Sequence, residues 1–152
     1  CDWVRRVLFR SQPGFSRAGN IVGINPWALS FYRNAPAGAI PDLTVARGGT
    51  NTVHRVTAVS AVLWAPIPPA NTDTVVQILT DQTPMWQDLL PGQFYAAGYV
   101  AAPYIYRFAQ TFQYPLTAVA GNPVILRVLQ GTSPTNYACA LNISGYTEFY
   151  AQ

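Results

Sequence analysis

Lysine is absent from this 152-residue chain, histidine occurs once, cysteine twice, and charged residues of every kind make up only 10% of it. Each scarcity removes a class of function. His54 is the sole histidine, so any Ser-His-Asp or Cys-His mechanism would have to run through it. It stands at the start of an expected strand beside Arg55, which disfavours a protonated imidazole, and we read it as structural. Cys1 and Cys139 allow at most one intrachain bridge, which excludes a disulfide scaffold and a four-cysteine zinc site. Both are read as free thiols. No apolar run approaches the ~18 residues of a membrane-spanning helix, because Arg, Pro, Asn or Gln interrupts every candidate. No membrane role is expected.

Carboxylates are also few. Beyond residue 55 there are Asp73, Asp81, Asp88 and Glu148, whereas paired-acid catalysis needs two acids converging across a cleft. Asp81 and Asp88 flank Trp86 and are read as turn acids beside a core ring. Asn71-Thr72-Asp73-Thr74 lacks the alternating-acid spacing of a calcium loop. Arg47-Gly48-Gly49-Thr50 does not join a strand to a helix as a phosphate loop does. We therefore expect no catalytic residue, no cofactor, no metal and no enzyme activity.

What is present is arginine, aromatic residues and turn formers. All nine basic residues are Arg, a choice that suits forked contacts to carboxylates and stacking on rings. Residues 1–55 carry a net charge of +5 and residues 56–152 carry −2. Residues 1–50 are punctuated by five Pro or Gly before residue 30 and five after it, too many for a long helix or a paired central strand. They read as an extended N-terminal arm. The arm is too aromatic for a solvated tail, so it should lie on a surface, either its own sandwich or a neighbour. Its candidate partner-binding residues are Trp3, Arg5, Arg6, Phe9, Arg10, Phe15, Arg17, Trp27 and Phe31. Arg interleaved with rings could also stack on nucleic acid. Without Lys, and at a net charge of only +3, contacts to protein are preferred.

Residues 51–152 have the texture of an all-β sandwich: β-branched and aromatic runs separated by Pro, Gly, Asn and Asp. Strands are expected at 53–64, 74–79, 93–99, 104–114, 123–129 and 137–146, with one helical turn near 86–90. In the run 104–114, Tyr104, Tyr106, Phe108, Phe112 and Tyr114 share one face, and Arg107, Thr111 and Gln113 the other. In 137–146 the same alternation puts Cys139 on the apolar face, as a small buried hydrophobe.

A first long strand ends in Ala65-Pro66-Ile67-Pro68-Pro69, and a middle segment holds Leu90-Pro91-Gly92. The aromatic strand follows, then Gly121-Asn122-Pro123-Val124-Ile125-Leu126 and a closing Ile143-Ser144-Gly145-Tyr146-Thr147-Glu148. In this order of features, over about two-thirds of the chain, it resembles the jelly-roll virion proteins of tailed bacteriophages. These are chiefly capsid decoration (cement) proteins and head-fibre or spike modules. The resemblance implies an all-β jelly-roll-like sandwich with an extended N-terminal arm. It also implies a structural virion protein that stabilises a capsid shell from outside, with the major capsid protein as partner and a homotrimer as the natural oligomer. A receptor- or glycan-binding module using Trp86, Tyr95, Tyr99 and Tyr104, or a coat protein that builds the shell itself, are the alternatives. The arm is expected to be removable without unfolding the sandwich.

Overall fold

The computed structural model describes residues 20–34, 39–65, 74–89, 92–94, 104–129 and 138–151. Among them there is no helix. Nine strands run β1 (Ile21–Arg33), β2 (Leu43–Val45), β3 (Thr52–Ala65), β4 (Val75–Thr80), β5 (Thr83–Leu89), β6 (Gly92–Phe94), β7 (Tyr104–Thr117), β8 (Val124–Leu129) and β9 (Ala138–Tyr150). They form two antiparallel sheets, ordered β1-β9-β3-β7-β6 and β2-β8-β4-β5. Apart from the hairpins β4–β5 and β6–β7, every connection between consecutive strands carries the chain from one sheet to the other. The β1-β9-β3-β7 and β2-β8-β4-β5 layers have the strand order of a jelly-roll sandwich, with β6 added beside β7.

The core lies between the sheets. Val56, Leu63, Leu141 and Ile143 from the five-stranded sheet meet Ile78 and Leu126 from the other, all less than 2% exposed. Alternation places them there: Val59, Ala61 and Leu63 point inward from β3, and Cys139, Leu141 and Ile143 from β9. Cys139 is fully buried, as the period of two required, and burial pushes its thiol pKa up. Tyr106, Phe108 and Phe112 face the core from β7 while Arg107, Thr111 and Gln113 are exposed. Tyr114 departs from the expected face and is 80% exposed. The reason is a register jump: Val56 pairs with Leu116 but Ala58 pairs with Thr111, so residues 112–115 have no partner on β3 and the alternation restarts.

Three parts of the sequence fold differently from expectation. Residues 21–33, assigned to the extended arm, are β1, paired along its length with β9 from Ile21↔Tyr150 to Arg33↔Cys139. Residues 43–45, also assigned to the arm, are β2 on the edge of the second sheet. The helical turn expected at 86–90 is instead β5, a strand hairpinned to β4 through Asp81 and Gln82. In each case Gly or Pro was the misleading signal. Pro26 and Pro84 lie in β1 and β5, both edge strands, where a residue without an N–H donor is tolerated. β9 also runs on to Tyr150, past the expected end at Tyr146. Of the strand expected at 93–99, residues 93–94 are in β6 and the remainder lies outside the described residues.

Gly145 is where the five-stranded sheet closes most tightly. Opposite it β3 carries an extra residue, Thr57, between Val56↔Gly145 and Ala58↔Ser144. A Cβ on Gly145 would lie 1.9 Å from the Arg55 carbonyl oxygen and 2.8 Å from the Trp27 ring.

Candidate functional site

Of the nine candidate partner-binding residues, Trp3, Arg5, Arg6, Phe9, Arg10, Phe15 and Arg17 lie outside the described residues. Trp27 and Phe31 are on β1 and turn inward. Both are half-buried and pack on the core beside Leu29. The Trp27 ring meets His54 edge-on, with centroids 6.3 Å apart and planes at 90°. They anchor β1 to its own sandwich.

His54 is 5% exposed and held at both nitrogens: Nδ1 is 2.6 Å from Thr147 Oγ1 and Nε2 is 2.9 Å from the Ala46 carbonyl. A carbonyl can only accept, so Nε2 donates to it, while Nδ1 bonds the threonine hydroxyl. That arrangement ties the segment after β2 to β3 and β9, and leaves no ring nitrogen for a substrate. The structural expectation for His54 fits this placement.

Asp81 sits at the tip of the β4–β5 hairpin with φ 56°, and Asp88 lies at the far end of β5, where it accepts the Leu89 N–H at 2.8 Å. Seven residues of extended strand, roughly 23 Å, separate them. They do not converge. Trp86 between them packs on Phe108 and Phe112, with centroids 5.2 and 5.5 Å away, so its ring serves the core. Tyr95 and Tyr99, and the side chain of Tyr104, lie outside the described residues, as do Asn71, Thr72 and Asp73. Among the described residues no group of three His, Cys, Asp or Glu could hold a metal ion, and no helix is long and apolar enough to cross a membrane.

A buried charge cluster occurs on the outer side of the five-stranded sheet. Arg55 Nε is 2.8 Å from Glu148 Oε1, with side chains 12% and 8% exposed, and the Tyr150 hydroxyl donates to the other Glu148 oxygen. Arg55 Nη1 also donates to Thr117 Oγ1 at 2.7 Å. Burial works against the Arg55 charge, but its hydrogen bond to Tyr150 and the Glu148 carboxylate outweigh that and raise its pKa. Burial and the bond to Glu148 push the Tyr150 phenol up to about 12. The cluster laces β3, β7 and β9 together.

Beyond this cluster the outer face is made of small residues. Ala28, Ser144, Ala58 and Thr111 line up across β1, β9, β3 and β7, and Ser30, Asn142, Ser60 and Ala109 form the next such row. Together they floor a trough of 410 Å³. Asn142 Nδ2 donates to Ser60 Oγ at 3.4 Å across it. Asn142 thus points out of the sandwich, although its strand lies mid-sheet. Tyr32 and Tyr146 stand in the rows next to the trough at its two ends, Tyr32 at 69% exposure. On this face, among the described residues, the only charge beyond the paired Arg55 and Glu148 is Arg107. Sequence reasoning missed the trough. Its single signal is the Ala/Ser/Asn spacing at 58/60 and 142/144, which carries no meaning until the register aligns the strands.

Neither a known protein family nor a curated protein matches the chain.

Proposed function

We propose that the chain is a structural virion protein, a jelly-roll subunit that binds a viral capsid shell as a decoration protein. The observation that supports this most is the broad outer face of the five-stranded sheet, nearly uncharged, where an ordinary soluble domain would be studded with charge. Such a face suits packing against another subunit of an assembly, with the arginine-rich N-terminal residues left for the shell. The geometry of the titratable groups points the same way: His54, Arg55, Glu148 and Tyr150 are spent on holding strands together. The arginine- and aromatic-rich residues 1–19, on their composition, add contacts to neighbouring subunits. A protein that binds the assembled lattice and not its separated subunits shifts the equilibrium towards the shell by mass action. Contacts to two subunits at once add avidity.

A second reading, a coat protein that builds the shell itself, draws on the strand order, because the jelly roll is a recurrent unit of viral shells. One experiment separates these. The purified chain is sedimented with bare capsid shells, and the chain alone is inspected for particles by electron microscopy. A decoration protein co-sediments at a fixed ratio and raises the temperature at which shells fall apart. Particles formed by the chain alone support the coat reading. Failure of both, with retention on a glycan array, would overturn the proposal in favour of a receptor-binding module.

A further inference from the structure

We infer that the outer face of the five-stranded sheet is a two-fold interface on which a second copy of this chain packs, with the Ser60–Asn142 trough of each copy receiving Tyr32 of the other. This does not depend on the virion reading; it rests on charge, shape and area.

Arg55 is already matched to Glu148, which leaves Arg107 as the one unmatched charge on the described part of the face. A partner chosen by charge complementarity would have almost nothing to read here. A second, equally neutral copy brings only one unmatched ion, its own Arg107, which is exposed on β7 at the side of the face.

The trough and Tyr32 are complementary in shape. Ser60 and Asn142 lie on the trough floor, and Tyr32 stands one row further along the strands, beside Ala140 and Val62. One row is two residues, roughly 6.6 Å. A two-fold axis lying in the plane of the contact, across the strands between the trough and Tyr32, carries each onto the other, so that Tyr32 of one copy enters the trough of its partner. That is the condition for an isologous contact, in which the same patch serves on both sides. The floor offers Ser, Asn and Thr side chains that can bond the incoming phenol hydroxyl.

Four strands about 4.8 Å apart, over about ten residues of about 3.3 Å each, make a face of roughly 600 Å². Two copies would bury roughly 1,200 Å², at the lower limit of stable specific interfaces. The pair would be a reversible dimer held by sheet stacking.

The test is sedimentation equilibrium of the full chain from micromolar to about a hundred micromolar. The expected species has twice the 16.6 kDa chain mass. Ser60→Arg places a charge on the trough floor of both copies and should weaken self-association by about a hundredfold or more. Val119→Arg, at an exposed loop position remote from the face, should leave it unchanged. If circular dichroism shows that Ser60→Arg has lost its fold, Ala28→Arg at the exposed end of the trough decides instead. A wild-type chain that stays monomeric throughout overturns the proposal. So does an oligomer of any size that survives the charge in the trough.

Discussion

Gly145 is the residue on which the five-stranded sheet turns out to depend most visibly. It lies between β1 and β3, beneath the Trp27 ring and beside the Arg55 carbonyl, where no Cβ fits. Gly145→Ala should therefore destabilise by about 3 kcal/mol or more, since neither backbone nor indole can yield cheaply. At Gly23 a Cβ would find its nearest neighbour at 3.8 Å, so Gly23→Ala should change stability by less than ~1 kcal/mol. Urea unfolding of both variants checks the pair. Trp27 itself has a buried Nε1 with no hydrogen-bond acceptor among the described residues. Trp27→Phe removes that orphan donor while keeping a ring, and should cost under ~1 kcal/mol, whereas Trp27→Ala should cost about 3–4 kcal/mol. Tyr150 makes a prediction in pH. Its phenol is raised from 10.0 to about 12 by burial and by the bond to Glu148. The folded chain thus holds this proton more tightly than the unfolded chain does. Its contribution is complete below about pH 10 and is lost as pH rises through about 12. Thermal melts across that window should fall for the wild type and fall less for Tyr150→Phe.

At the scale of elements, the edge strands decide what can be removed. Deleting residues 1–50 takes away both β1 and β2, one edge from each sheet. It strips β9 of its partner on one side and the core of Trp27, Leu29, Phe31, Leu43 and Val45. We expect that truncation to lose cooperative unfolding and to aggregate, as unprotected sheet edges do. Deleting residues 1–19 leaves every described strand pairing in place and should keep a cooperative melt. Calorimetry of the two truncations checks this, and it decides which of them can be used in shell-binding assays. The same edge strands explain where sequence reasoning went astray. β1 has a clear alternation, with Trp27, Leu29 and Phe31 against Ala28, Ser30 and Tyr32. Gly23 and Pro26 masked it, because an interior strand would not accept them and the sequence does not say which strands are edges.

For the whole molecule, a jelly roll constrains architecture far more than activity, and function has to be argued from surfaces. Here the argument comes from a face with one unmatched charge against an N-terminal third that carries most of the arginine. The two should respond differently to salt. Self-association through the neutral face should change by less than about threefold between low and high ionic strength, because there is little charge to screen. Attachment to a shell through the arginine-rich residues should weaken over the same range. Sedimentation velocity and co-sedimentation at matched salt concentrations distinguish these contributions.

The sequence by itself determined the fold class and most of the strands, since alternation in Val53–Trp64, Tyr104–Tyr114 and Tyr137–Tyr146 depends only on neighbours two apart. It also determined that Cys139 would be buried, and that no calcium loop or phosphate loop was present in its usual spacing. Tertiary structure alone decided which strands are edges, and hence that β1 and β5 are strands despite Pro26 and Pro84. It alone matched Arg55 to Glu148, which are 93 positions apart, and brought His54 to Thr147 and Ala46. It alone set the four-strand register that turns scattered alanines and serines into a trough. The division has a simple cause. Which way a side chain points along a strand is a local property of the backbone, whereas what stands beside it across the sheet depends on pairings between distant segments, and no single segment encodes them.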